Sequence, residues 1–399
     1  MLVINKYLMQ LSIKKCVSIA TLLAGIACYT GSNAQKIDTV SSFSVTGYVD
    51  AYYAYYTDSV GPGNFQKFPG VSPRSNNPSL NTAMLSLNYT SDKLRATTVL
   101  HFGDIAAAGW APEPYNHIME AHVGIKIVNK LWIDAGFFRT HFGTESILPS
   151  ENITSSIAVG TFYEPLYESG IRLNYDPTPK LDINLFLLNG YNVFVDNNNK
   201  KSFGLAATYA FNESAGIGYT NYTGDETPVG KSGSHLRIHN NVFFNFQKRK
   251  IKLQVGGDLC MQQNSDLATG TETATMYSGL ATLKYQFVPK VAVYGRAEVF
   301  SDPDGWMSGV IKDYYGKPTG YKLWGITAGL EVKPTAESYV RLEARYLQMQ
   351  KDQYIFMNGG DVQNARFEIM VNAGVTFDLL RSIKTKVKMP PTPGTIEEE

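Results

Sequence analysis

Cysteine is nearly missing from this chain. Three occur in 399 residues, and two of them, Cys16 and Cys28, lie in the first 34. Once those residues are removed, Cys260 stands alone and no internal disulfide can form; a small shielded residue is the plain reading of it. Charge is scarce as well. Charged residues make up 18% of the chain, against roughly 25% in ordinary soluble proteins. Without Lys6, Lys14 and Lys15 the chain holds 33 basic residues against 35 acidic ones, so nothing points to nucleic acid or another strongly charged partner. Long hydrophobic runs are also missing. After residue 34 no stretch of 18 apolar residues occurs, which excludes a helical membrane span. Gly-rich phosphate loops, Cys clusters and a Gly-x-Ser-x-Gly elbow do not occur either, and no cofactor is expected.

What is there begins with an export signal. Lys14 and Lys15 precede 13 residues from Val17 to Tyr29, too few to cross a bilayer and the length of a signal-peptide core. Ser32-Asn33-Ala34 supplies the small residues of a cleavage site, so 1–34 are expected to be a signal peptide and 35–380 the mature folded domain. The rival is a lipoprotein signal at Cys28, whose Gly25 stands where such signals have Leu.

Alternation with a period of 2 is what repeats along the rest of the chain. Phe43, Val45, Gly47, Val49, Ala51, Tyr53 and Tyr55 form one face of a strand, and Ser44, Thr46, Tyr48, Asp50 and Tyr52 the other. Sixteen such strands are expected at 43–56, 80–90, 94–103, 117–127, 131–138, 169–175, 181–189, 201–209, 215–222, 235–247, 251–261, 275–285, 291–300, 321–332, 339–348 and 365–377. Most are long enough to cross a bilayer as tilted strands. Their connections alternate short and long without a break, from Ser91-Asp92-Lys93 and Val128-Asn129-Lys130 against 57–79 and 104–116 onward. A soluble sandwich has no reason to place every long loop on each second connection. A closed antiparallel barrel in an outer membrane does, with short periplasmic turns and long extracellular loops. Phe43, Tyr89, Tyr175, Tyr209, Phe246, Tyr285 and Phe377 share the apolar parity at the short-turn ends, as an interfacial girdle would. The ordering puts both termini in the periplasm. The segment 381–399, with Pro390-Pro391-Thr392-Pro393 and three closing glutamates, is expected to be a disordered periplasmic tail.

Several pieces, taken in order, resemble the OmpL-like β-barrel porins of Gram-negative outer membranes. They are Gly47-Tyr48-Val49-Asp50-Ala51-Tyr52-Tyr53, Leu80-Asn81-Thr82-Ala83-Met84-Leu85, Leu131-Trp132-Ile133-Asp134-Ala135-Gly136-Phe137-Phe138, His141-Phe142-Gly143-Thr144-Glu145 and Asn189-Gly190-Tyr191-Asn192-Val193. The resemblance spans nearly the whole mature chain through an ordered series rather than one sharp motif. It implies a water-filled channel for passive diffusion of small hydrophilic solutes or ions, surrounded by outer-membrane lipid. By analogy with porins of this size it implies a homotrimer. It transfers no catalytic residue. The tail after Phe377 departs from porin-like chains, which often end on an aromatic of the last strand.

The inward parity carries Arg95, Arg172, Arg237, Lys252, Arg296, Arg341, Arg345 and Arg366 beside Asp50, Glu120, Asp134, Asp258, Glu298, Glu343 and Glu368. Pairing across neighbouring strands would account for many of them. The third long loop, 139–168, is the longest and holds Glu145, Glu151, Glu164 and Glu168. It is expected to enter the lumen, with these four carboxylates facing a positive wall of Arg95, Arg172, Arg296 and Arg341 across a constriction; a solvated external loop is the alternative. No metal site is expected. His117-Ile118-Met119-Glu120-Ala121-His122 has metal-like spacing, but His117 falls off the face shared by Glu120 and His122. The oxygen-rich loops Asp302-Pro303-Asp304-Gly305 and Asp196-Asn197-Asn198-Asn199 lack a full calcium ligand set. Two other functions stay open: a barrel enzyme using His101, His122, His235 or His239 as base, and a plugged structural or adhesion barrel.

Overall fold

Each strand alternates because one of its faces must meet an apolar surround and the other a polar interior, and closing the sheet leaves no unpaired edge. A computed structural model of the protein describes residues 39–380 and 385–387. Sixteen long strands follow one another: β1 (Thr39–Tyr56), β2 (Ser79–Thr90), β3 (Leu94–Phe102), β4 (Ile118–Val128), β5 (Leu131–Arg139), β6 (Tyr167–Thr178), β7 (Leu181–Leu188), β8 (Ser202–Asn212), β9 (Ala215–Asp225), β10 (Leu236–Lys248), β11 (Ile251–Gln262), β12 (Ala274–Val288), β13 (Val291–Ser301), β14 (Lys322–Val332), β15 (Ser338–Met349) and β16 (Ala365–Leu380). Every consecutive pair is antiparallel, and β1 pairs with β16, from Thr46↔Asp378 to Tyr56↔Glu368, which closes the ring. All the strands expected from periodicity are present, most with ends displaced by three residues or fewer. Ser41–Thr385 forms one unit. Met1–Val40 with Lys386–Glu399 forms another, described only at residues 39, 40, 386 and 387, all extended. The expected signal peptide 1–34, and the tail 381–399 apart from Thr385–Val387, lie outside the described residues.

The outer face is apolar. Val123 is 63% exposed and Leu283 50%, values suited to contact with hydrocarbon rather than water. Phe43, Tyr89, Tyr175, Tyr209, Tyr285 and Phe377 are exposed on this face at the short-turn rim, and Phe246 is half-buried there. Tyr53, Phe102, Phe203, Tyr277, Trp324 and Phe367 form a second exposed set near the long-loop rim. The sequence reading did not collect this second set.

Six of the seven short turns carry Lys or Arg. Four turn lysines reach the next turn along the rim: Lys130 Nζ donates to Pro177 O (2.9 Å), Lys180 to Phe211 O (3.3 Å), Lys250 to Phe287 O (3.1 Å) and Lys290 to Pro334 O (3.0 Å).

Two long loops turn inward. They are L1 (57–78) and L3 (140–166), and the short helix α1 (Asp104–Gly109) packs beside them. Val71 of L1, Ile105 of α1 and Ile147, Leu148, Ile157 and Leu166 of L3 share one buried cluster with Tyr48 of β1 and Tyr339 of β15. The apolar core of the molecule therefore lies inside the barrel, between loops and wall.

Candidate functional site

L3 holds only two short helical turns, Pro149–Glu151 and Val159–Phe162, so most of its backbone amides and carbonyls need partners if water is excluded. The inner faces of β13 and β15 supply them to L3. Arg341 donates to the carbonyls of Pro149 (2.8 Å), Asn152 (3.0 Å) and Thr154 (3.0 Å). Arg296 donates to Ser156 O (2.7 Å) and Thr154 Oγ1 (3.1 Å). Glu343 accepts the amides of Ser155 (2.6 Å) and Ser156 (3.0 Å), and Glu298 accepts that of Val159 (2.7 Å). Side chains that alternate along two strands, β13 and β15, thus bind the loop with cations and carboxylates alike.

The four expected loop carboxylates do not form one face. Glu145 is clamped: Oε1 accepts from Arg296 Nη1 at 2.9 Å and Oε2 from the Ala158 amide at 2.7 Å, with both charged side chains buried. Glu151 is 43% exposed and takes Arg139 Nη1 at 2.9 Å and Ser146 Oγ at 2.6 Å. Glu164 is buried, and neither of its carboxyl oxygens has a hydrogen-bond partner among the described residues. Burial above all, then the negative charge of Asp258, raises its pKa well above the carboxylate range, while His239 opposes the shift. Glu168 is not on the loop. It lies in β6, its carboxylate 2.8 Å from His141 Nδ1.

The four arginines also separate. Arg296 and Arg341 touch L3 directly, so no open gap lies between them and the loop. Arg95 and Arg172 are not on that wall. They stand on β3 and on β6, the strand into which L3 runs, and share the carboxylate of Asp134: Arg95 Nε to Oδ1 at 2.6 Å, Arg172 Nε to Oδ2 at 3.0 Å. Parity alone tells inward from outward, but which strands a loop leans against depends on its own path. A cavity of about 430 Å³ remains between L3 and the wall, lined by Glu120, Arg139, Arg172 and Gln254 together with Gly143, Glu151 and other loop residues.

Sequence reasoning missed the inward course of L1. Arg366 donates to Lys67 O at 3.1 Å, and its guanidinium lies 5.0 Å from the Tyr56 ring and 5.9 Å from that of Phe68. Gly70 meets Ile157 and Phe162 of L3 so closely that a Cβ there would lie 2.7 Å from Ile157 Cδ1. The signal was present as Phe68-Pro69-Gly70-Val71, an apolar run in an otherwise polar loop. The weaker constellations resolve into packing and turns. His117 lies against Phe102, with ring centroids 4.7 Å apart, while His122 Nε2 is 3.5 Å from Glu120. His101 and His239 are buried, and His235 belongs to the loop before β10. Asp302 accepts the amides of Met307 and Ser308, and Asp196 those of Asn198 and Asn199.

Solved structures share this architecture. The anion-selective porin of Comamonas acidovorans superposes with a TM-score of 0.58 at 12% identity, covering 84% of this chain and 100% of its own. OmpT, an outer membrane protein of Vibrio cholerae, gives 0.54 at 12% identity, with 87% and 99% covered. The outer membrane channel DcaP of Acinetobacter baumannii gives 0.54 at 11%, with 84% and 97% covered. At such identities the likeness is one of fold. No curated protein matches the sequence. The family model for beta-barrel porin-2, OmpL-like, matches residues 42–377, nearly all of the described barrel, and the chain belongs to that family.

Proposed function

We propose that this outer-membrane porin passes small hydrophilic solutes by passive diffusion along the space left between L3 and the strands β3–β12. The observation that carries the reading is a closed barrel with an apolar outer face that keeps an open cavity, lined mostly by polar and charged side chains, beside its inward loop. Exposed Glu151 and half-buried Arg139 and Arg172 at the cavity, with Arg95 beside Arg172 on Asp134, are then the charges a solute meets. Buried Glu145, Arg296 and Arg341 hold L3 instead. The chain is a channel and not an enzyme in this reading. A homotrimer is its proposed assembly, since OmpT of V. cholerae has been described in trimer form. Both barrel ends of the chain lie at the short-turn rim, which is assigned to the periplasm, and 1–34 are removed on export to leave Gln35 first.

Planar-bilayer recording of the purified protein tests this. Stepwise ion conductance is expected. The filling of the lumen by both L1 and L3 favours a second reading, a plugged barrel; membranes that hold folded protein and stay silent would establish it in place of the channel.

A further inference from the structure

We propose that the pore selects small anions, carboxylates and phosphates, at a station formed by Arg95, Lys126 and Arg172 and faced across the lumen by Lys252 and Lys284. The inference rests on the channel reading above and adds to it the class of solute.

The first observation is an imbalance of exposure. Asp134 binds two guanidinium groups and its side chain is 0% exposed, while the side chains of Arg95 and Arg172 are 23% and 22% exposed. One buried carboxylate thus holds two cations in place, and a passing solute meets the cations. Arg172 uses only Nε in hydrogen bonding among the described residues, so its two Nη groups keep their donors for an oxyanion, which a guanidinium fork fits well. The groups are also fixed in orientation. Arg95 lies 4.6 Å over the Trp132 ring, Lys126 5.0 Å over the same ring, and Arg172 4.8 Å over Phe138. Gly124 makes the arrangement possible. It sits between Arg95 and Asp134 in the sheet, and a Cβ there would lie 2.0 Å from Asp134 Oδ1 and 2.9 Å from Arg95 Cγ.

A second basic face stands opposite. β11 and β12 lie eight strands on from β3 and β4 in a ring of sixteen, hence across the barrel. There Lys252 and Lys284 are direct cross-strand partners, an arrangement that like charges disfavour. Lys284 pairs with Glu331, which is 1% exposed and shared with Arg341. Lys252 makes no ion pair or hydrogen bond among the described residues. Besides the buried Asp134 and Glu331, the nearby acids are Asp176 and Asp182, and Asn174 Nδ2 donates to both (3.5 and 3.0 Å). Fixed charge between low-dielectric walls concentrates the opposite ion, and rings of basic side chains favour anions.

The test is a reversal-potential measurement in a potassium chloride gradient, with wild type, Lys126→Gln/Lys252→Gln and Arg172→Gln. The lysine pair has no ion-pair partner to strand, so that variant keeps its fold, checked by heat-modifiable gel mobility. Wild type is expected to pass chloride several-fold better than potassium. The lysine variant should conduct with that ratio reduced several-fold, and Arg172→Gln should lose the block of chloride current that added inorganic phosphate causes in wild type. Normal conductance without chloride preference, or a preference unchanged in both variants, overturns the inference and leaves the channel standing. Folded wild type with no conductance overturns the channel reading and this inference with it.

Discussion

Glu164 shows what a single residue can carry that its neighbours do not. Its carboxyl faces Asp258 and His239 of the wall and Glu145 of its own loop, and among the described residues no donor reaches it. A carboxyl whose pKa is raised on folding favours the folded state most fully below the ordinary carboxylate range, and that contribution fades as pH climbs towards the raised value. Wild type should therefore lose stability relative to Glu164→Gln as pH increases, since the amide does not titrate. Urea unfolding at acidic and mildly alkaline pH would read the difference; parallel curves would count against a buried neutral carboxyl. The sequence marked Glu164 as a loop acid but not as a solitary one. Its isolation comes from three distant segments that no local pattern links. Arg296 and Arg341 were legible as inward residues because period 2 fixes the face, whereas the Arg95–Asp134–Arg172 fork needs the register of four strands at once.

At the scale of elements, L3 is a loop held by the wall in addition to its own short helical turns and internal hydrogen bonds. Among the described residues, only Arg296 forms an ion pair with Glu145. Truncating one partner of a buried pair leaves an uncompensated charge and costs about 3–5 kcal/mol. Arg296→Met should thus release the turn at Glu145 while the sheet persists, since no strand pairing depends on it. The expected result is noisier single-channel current with unchanged folded gel mobility; a quiet trace of wild-type amplitude would mean the other contacts hold L3 unaided. Loop length announced L3 in the sequence. L1 went unread because Phe68 and Val71 gain their meaning only against Ile157 and Phe162, which are remote in the chain.

For the whole molecule, the barrel was the most legible level because each strand repeats the same two-residue rule and each loop pair the same short–long order. That rule gives a sided expectation. Ala281, exposed on the outer face midway along β12, should not tolerate Arg: about 2–4 kcal/mol is the cost at a bilayer midplane. Thr208 faces the lumen opposite Asp182, and Thr208→Arg should stay within roughly 0.5 kcal/mol. Urea titrations in lipid vesicles would compare them, and equal losses would refute the sidedness.

The turn lysines have a mechanical consequence. Lys130 and Lys180 join the turns of β4–β9, and Lys250 and Lys290 those of β10–β15. The turn between β8 and β9, Glu213-Ser214, carries no lysine to continue the series. Backbone bonds such as Gln247 N–H to Ser214 O (2.7 Å) continue around the rim, but the lysine bridges among the described residues run in two arcs joined by two seams, one at β9–β10 and one across β16 and β1–β3. A hoop of this kind deforms by changing its ellipticity, not its circumference, with the seams as hinge lines. Amide exchange at the short-turn ends should be fastest at those seams. An even rate around the rim would show that the lysines grip too weakly to divide it.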